Sequence, residues 1–325
     1  MSQWNFTREE LAAQSIYWRL MLKGAISLSS VLLTSAGELG KVRVSKAEDE
    51  HYVRPPRGYE LPEYQVGMEF SRANEKYLRP TRYCNCSAPQ IVAMAHALGA
   101  YQLPNGEFVQ NAFEFVKEQV LLEILPIDGV ERTLARGTGT CFHLISLFIA
   151  LCRSAGIPAR YKMFSISMIQ AWRDVMVDQD PLVKKWYDAA GYFLIEGEGE
   201  VWLDGRWVVG HVGPTAERQA AAGLPVTHLG EDAIGVWFYA RPGTVMRMEA
   251  IPRGLGPASR LLQRIAPGSM ERVNIAVTKQ TEAGRQVIAV AGGRQAYDAQ
   301  ARASLGPKLP SVDYRARKEI VFEGR

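Results

Sequence analysis

The sequence predicts an α+β protein in which a helical lobe packs on an antiparallel sheet, with an extension at each end of the chain. Three observations carry this. Apolar residues recur at helical spacing through the first half, most clearly in the run 142–151. Short aromatic-rich extended segments follow from residue 192 onward. Between two of them stands Asp204-Gly205, the two-residue signature of a tight β-hairpin.

Taken in order, Thr7-Arg8-Glu9-Glu10 has capping-box spacing and opens a helix that Gly24 can close. Residues 36–85 are rich in Gly, Pro, Arg and Glu with weak periodicity, and read as an irregular, partly extended arm. Ser87-Ala88-Pro89-Gln90 is a second capping box, starting a helix with Ile91, Val92, Met94, Ala95 and Leu98 that stops at Gly99. A third helix is expected within 109–124, where Phe113, Val116, Val120 and Leu121 form one stripe. The fourth starts at Cys141 and ends at Ala155-Gly156-Ile157-Pro158. A strand over 160–165 comes next, then a polar stretch over 167–189 with one or two short helices broken at Pro181. Extended segments follow at 192–195, 199–203, 206–212 and 234–239, and beyond 245 Gly and Pro punctuate short segments. This divides the chain into an N-terminal helix and arm (1–85), a central core (86–240) and a basic C-terminal extension (241–325).

At 325 residues, 47% hydrophobic and 22% charged, the chain is long enough for one large or two modest domains. Its cysteines fall at 84, 86, 141 and 152. Cys84 and Cys86 are too close for an ordinary disulfide, and no second Cys/His pair at metal spacing accompanies them. Cys152 reads as core, and the pattern suits a reducing compartment. The apolar run 24–36 is faintly like the end of a signal peptide, but Glu9, Glu10, Arg19 and Lys23 precede it. No stretch reaches the ~18 uncharged apolar residues of a membrane span, so a cytoplasmic protein with no membrane partner is expected. Net charge is +4, unevenly placed: residues 241–325 hold 15 Lys+Arg against 7 Asp+Glu. Such a segment suits either a solvated surface or an acidic or phosphate-bearing partner. No nucleic-acid module or basic stripe interleaved with aromatics is present, so nucleic acid is not expected.

Cys141 follows Gly137-Thr138-Gly139-Thr140 at the positive end of the fourth helix. Unpaired N–H groups and the macrodipole there favour a thiolate, the ingredient of a nucleophilic enzyme. The plainer reading is a small packed residue. The Asp-Gly turn sets Leu203 opposite Arg206, Trp202 opposite Trp207, Glu200 opposite Val209 and Glu198 opposite His211. Glu196, Glu198 and Glu200 then share one face with His211, close enough for a carboxylate to reach the imidazole. A surface ladder of charges is the alternative, but Trp202, Trp207 and Val209 beside it point to burial. Among the other histidines, His143 is two residues from Cys141 and faces elsewhere on the helix. His51 and His96 stand apart from this constellation, His96 on an apolar helix where packing is the default. His228, in a loop, is the reserve base.

The stretch Gly137-Thr138-Gly139-Thr140-Cys141, with Leu147 to Arg160, resembles the bacterial transglutaminase-like family, papain-like in fold. So do the helix from Ser87, the segment Glu131-Arg132-Thr133-Leu134 and the hairpin Glu200 to Val208. The similarity spans roughly residues 85–240. It implies Cys141 as the nucleophile. The family's histidine, four residues before the Glu matching Glu200, falls on Glu196, and its aspartate, four after Trp207, falls on His211. A Gly213-Pro214-Thr215 ending replaces the family's Asp-Pro-Thr. Three arrangements stay open: His211 reaches Cys141 with Glu196 or Glu198 orienting it; Glu196 itself is the acid or base, supported by His211; or the fold is kept for binding or assembly alone. The first two imply cysteine-dependent acyl transfer or an atypical Glu/His chemistry on a peptide, an amide or an acyl thioester. That substrate could be borne on a carrier protein or coenzyme A. No cofactor or metal is called for.

Overall fold

A computed structural model describes residues 8–37, 50–168, 170–232, 238–241 and 243–305. In chain order the elements are α1 (Arg8–Thr34), α2 (Pro89–Ala97), α3 (Asn105–Gln119), β1 (Leu121–Leu122), α4 (Val130–Arg136), β2 (Thr138–Gly139) and α5 (Cys141–Ser154). Then come β3 (Ala159–Met168), α6 (Gln170–Met176), α7 (Pro181–Ala190), β4 (Phe193–Leu203), β5 (Arg206–Gly210), α8 (Ala216–Ala221), β6 (Phe238–Ala240) and β7 (Met246–Met248). Three helices end the described chain: α9 (Leu255–Ile265), α10 (Pro267–Val290) and α11 (Arg294–Leu305). The expected α+β class holds: α2 to α5 form the helical side, and β3, β4 and β5 run antiparallel, with β6 and β7 both on β3.

Helix α5 is the centre of the core. Every residue from Phe142 to Ser154 is buried, and the helix packs on α2, α3, α4, β3 and β4. Glycines let it approach the sheet. A Cβ built at Gly199 or Gly210 would lie 2.7 or 2.6 Å from the Phe148 ring. These glycines are packing positions rather than breaks, so the expected segments 192–195 and 199–203 join into the single strand β4. The fully buried Arg153 secures the far end of α5. Its guanidinium donates to the carbonyls of Ala159 (3.0 and 2.8 Å), Arg79 (3.0 Å) and Glu249 (2.7 Å). Residues 50–88 carry only one isolated bridge, Thr81 with Cys84, in line with the expected arm, whose residues 38–49 lie outside the described residues.

Several boundaries differ from expectation. Helix α1 continues through Gly24 because that glycine is buried against α7, where the Trp186 indole donates to its carbonyl at 3.1 Å. Tyr17, Leu20 and Val31 bury one face of α1, while Trp18, Leu22 and Ile26 stay exposed on another. By length and composition, Ala12–Thr34 is the one helix among the described residues apolar enough to cross a membrane. The Ser87 capping box does not form. Ala88 is the N-cap, Pro89 opens the helix, and Ser87 Oγ donates instead to Asn85. Helix α3 begins four residues before the expected window, behind Pro104. Pro181 opens α7 rather than breaking a helix, with Asp180 accepting from the N–H groups of Leu182 and Val183.

The largest departure is the C-terminal segment, which holds three helices instead of short punctuated pieces. Gly268, Gly284 and Gly292 signal breaks in the sequence, yet Gly284 lies inside α10 where that helix meets α8. A Cβ there would sit 1.7 Å from the Glu217 carbonyl oxygen. Gly284→Ala is therefore expected to push α8 off α10 and cost about 1–3 kcal/mol or more of overpacking, measured by urea denaturation. The basic residues of this segment largely pair within the chain. Arg272 bonds Asp180, Arg294 bonds Glu114 and Glu118, Arg302 bonds Glu231 and Asp298, and Arg247 bonds Glu200. The Arg315-Ala316-Arg317-Lys318 cluster lies outside the described residues.

Candidate active site

Cys141 is the first residue of α5. Thr140 caps the helix, and its N–H donates to His143 Nδ1 at 3.0 Å. On the other side of that ring, His143 Nε2 lies 3.0 Å from Asp128, which Arg136 holds at 2.8 Å. Burial keeps the imidazole below its ordinary pKa. His143 thus fixes the turn that presents Cys141 and, as expected, does not share its direction.

The hairpin register agrees with that expected from Asp204-Gly205 as far as Gly199 opposite Gly210. The roles of the three glutamates then separate by what stands opposite them on β3. Glu200 faces Arg160, which donates at 2.6 Å, with Arg247 at 3.2 Å. Glu198 faces Lys162, which donates at 2.9 Å and reaches Asp232 at 2.7 Å. The expected Glu198–His211 pair lies one step beyond the last β4–β5 ladder pair, Gly199–Gly210, and the Glu198 carboxylate accepts from a cross-strand lysine. Glu196 faces Phe164 instead of a cation, so its carboxyl is left for the thiol.

His211 lies just past β5, in a segment drawn toward Cys141 by the buried Lys117. That ammonium donates to the carbonyls of His211 (3.4 Å) and Pro214 (2.9 Å) and to Thr227 Oγ1 (3.0 Å). Burial lowers its pKa to about 7. Lys117→Met is expected to leave two buried carbonyls without this donor and cost about 2–6 kcal/mol, at ~1–3 kcal/mol per unsatisfied group. A shift in the urea midpoint at unchanged slope would register it.

Gly213 marks where the three groups converge. A methyl built on it would lie 3.7 Å from Cys141 Cβ, 3.7 Å from His211 Nε2 and 4.0 Å from Glu196 Oε1. The family's carboxylate is missing from this position in the sequence, and in the structure a side chain there would fill the space between them. The electrostatics correct the expected thiolate. Burial, then the charge of the nearby Glu196 carboxyl, push the Cys141 thiol well above its ordinary pKa, outweighing the Phe142 N–H and Arg218. Burial also lifts Glu196 to about 7, against the opposing pull of Cys141, the Gly197 N–H and Arg218. His211 is pushed well below its ordinary value by burial and by Lys117, Lys162 and Arg218. Near neutral pH the site holds a neutral thiol, a neutral imidazole and a carboxyl at its midpoint.

Sequence reasoning missed Lys117, Arg218 and the cavity. Arg218 sits on α8, whose cap is Thr215, and is fully buried. Its guanidinium lies 3.9 Å over the Trp172 ring and Nε donates to Gln280 at 3.1 Å, while Nη1 and Nη2 have no hydrogen-bond partner among the described residues. Burial lowers its pKa to about 9, so it stays cationic at neutral pH. Arg218, Cys141, Glu196 and His211 all line one cavity of about 370 Å³. No local pattern announces an arginine that reaches a site from another helix. The reserve base, His228, is elsewhere: it bonds Asp298 on α11 at 2.8 Å and does not line this cavity. His96 Nε2 meets the Glu69 carbonyl, and His51 meets Glu271 at the surface. Among the described residues no group of three or more His, Cys, Asp or Glu could hold a metal ion.

Residues 93–210 match the model of the transglutaminase-like superfamily. The matched segment contains Cys141 and Glu196 and stops one residue before His211. A solved structure of a candidate cysteine protease from Cytophaga hutchinsonii is similar at 19% identity, with a TM-score of 0.31. The similarity covers 42% of this chain and 40% of that one, so this chain spans less than half of that protein's length. No curated protein matches. The superfamily match supports a cysteine-enzyme type of fold, transglutaminase-like in its central part. Helices α1 and α9, and the residues that carry Arg218, lie outside it.

Proposed function

We propose that the protein is a cysteine-dependent acyl-transfer enzyme in which Glu196, rather than a histidine, is the base. The observation that carries this reading is the Glu196 carboxyl, which faces Phe164 rather than a cation across β3 and converges with Cys141 on Gly213, with a pKa raised to about 7 by burial. A base works best when its pKa lies near the operating pH. In the first step ionised Glu196 takes the thiol proton as Cys141 sulfur bonds to the substrate carbonyl carbon. The oxyanion that forms faces the N–H groups at the start of α5, and Arg218 stands on the same cavity wall. Collapse breaks the bond to the leaving group, which departs with the proton held by Glu196. Water or an amine then attacks the acyl-enzyme, gives its proton to Glu196, and releases Cys141, which recovers it. His211, held neutral by burial and then by the cations around it, contributes an uncharged imidazole.

A thioester suits this site better than an amide. Its thiolate leaving group is far less basic than an amine and depends much less on the proton that Glu196 returns. Incubation with an acyl thioester is expected to add the mass of the acyl group to the Cys141 peptide, and to add nothing in Cys141→Ala. An acyl group found on another residue, or none in the native enzyme, would defeat the reading.

A further inference from the structure

We propose that the cavity beside Cys141 holds a long aliphatic acyl chain, with the carbonyl end of that chain at Cys141 and Arg218. This deepens the acyl-transfer reading and rests on it for the reacting group. The cavity lining is mostly apolar side chains. Met21 and Leu28 come from α1, Leu122 and Ile124 from the segment after α3, and Leu262 and Ile265 from α9. Its titratable groups are Cys141, Glu196, His211 and Arg218, with Thr140 and Ser259 also in the lining. An apolar chamber with a few convergent polar groups is the usual form of a small-molecule site, and about 370 Å³ falls within the ~300–1,000 Å³ of such sites. It has room for about a dozen groups of ~30 Å³, the share of a water in the liquid and close to that of a methylene.

Arg218 is the second, independent observation. A fully buried guanidinium whose two terminal nitrogens lack partners is costly unless a ligand supplies acceptors. Trp172 and Gln280 fix its plane and its Nε, which leaves those nitrogens to meet a carbonyl oxygen that becomes an oxyanion in the reaction. A peptide would bring a chain of amide groups into a wall that offers them almost no hydrogen-bond partners, at a cost of several kcal/mol on the scale of about 1–3 per unsatisfied group. A methylene chain needs none. The walls supplied by α1 and α9 lie outside the region matched by the superfamily, so the cavity is an addition of this chain to the shared core.

The test is turnover of N-acetylcysteamine thioesters from acetyl to hexadecanoyl. Binding of the acetyl and dodecanoyl members to Cys141→Ala is measured in parallel by titration calorimetry. Each added methylene is expected to raise kcat/KM about fourfold, the equivalent of ~0.8 kcal/mol per buried methylene, until the cavity fills near a dozen carbons. Ala25→Trp, at an exposed position on the cavity rim, is expected to move the optimum to shorter chains, and Leu28→Ala to move it to longer ones. Equal kcat/KM for acetyl and dodecanoyl thioesters, or an optimum that neither variant moves, overturns the proposal while leaving the acyl-transfer reading intact. Tighter binding of dodecanoyl than of acetyl thioester to Cys141→Ala, with no turnover of any thioester by the native enzyme, supports the cavity's role and removes the catalytic reading.

Discussion

Glu196→Gln is expected to lower kcat/KM on an acyl thioester by about 10²- to 10⁴-fold, the usual contribution of a positioned general base. The substitution keeps the volume and the planar head group, so it removes the basicity and little else. It also removes a titrating group from a buried position. In the folded protein Glu196 is raised from 4.5 to about 7, so folding favours its protonated form. That contribution is complete below the unfolded value and is lost as pH rises toward and through 7. Glu196→Gln is therefore expected to be no less stable than the native protein at pH 8, even as activity collapses. An unfolded or strongly destabilised variant would mean that the carboxylate holds the site together, contrary to the role assigned here. The active form is the ionised one, so native turnover is expected to rise with pH through about 7 and then level off.

Arg218→Met is expected to lower kcat by about 10²- to 10³-fold with a smaller change in KM, the pattern of a lost oxyanion donor. The methionine keeps an unbranched apolar stem in place and removes a buried cation whose terminal nitrogens lack hydrogen-bond partners among the described residues. Stability is expected to hold or improve, because replacing a costly buried charge by an apolar side chain is often favourable. A KM that rises while kcat stays unchanged would instead assign Arg218 to ground-state binding. Loss of Arg218 should also lift Glu196 a little further, since the guanidinium pulls that carboxyl down.

The sequence carried the parts of the site that depend on local chemistry. Gly137 to Cys141 and the apolar run behind them specified the helix and set Cys141, the proposed nucleophile, at its start. Asp204-Gly205 specified a register in which Trp202 faces Trp207. What it could not carry was which cross-strand neighbour each glutamate meets, because that partner strand, β3, lies thirty to forty residues away from them. Lys162 and Arg160 occupy Glu198 and Glu200, and only that pairing singles out Glu196. The raised thiol pKa escapes a local reading for a related reason: the helix terminus is visible locally, but burial and a carboxylate from β4 are not. The C-terminal helices were hidden by glycines that read as breaks, although Gly284 is a contact point inside α10. Lys117 and Arg218 act across the fold from helices that carry no motif.

The pH dependence of Cys141 alkylation tests the central claim without any knowledge of the substrate. Cys84, Cys86 and Cys152 are buried, so iodoacetamide should find Cys141 first, and peptide mass spectrometry identifies the site. If Glu196 is the base for this thiol, the native rate rises with an inflection near 7 as the carboxyl ionises, and that inflection vanishes in Glu196→Gln, where reactivity waits for high pH. An inflection that survives in Glu196→Gln but disappears in His211→Asn would contradict the account and make the imidazole the base.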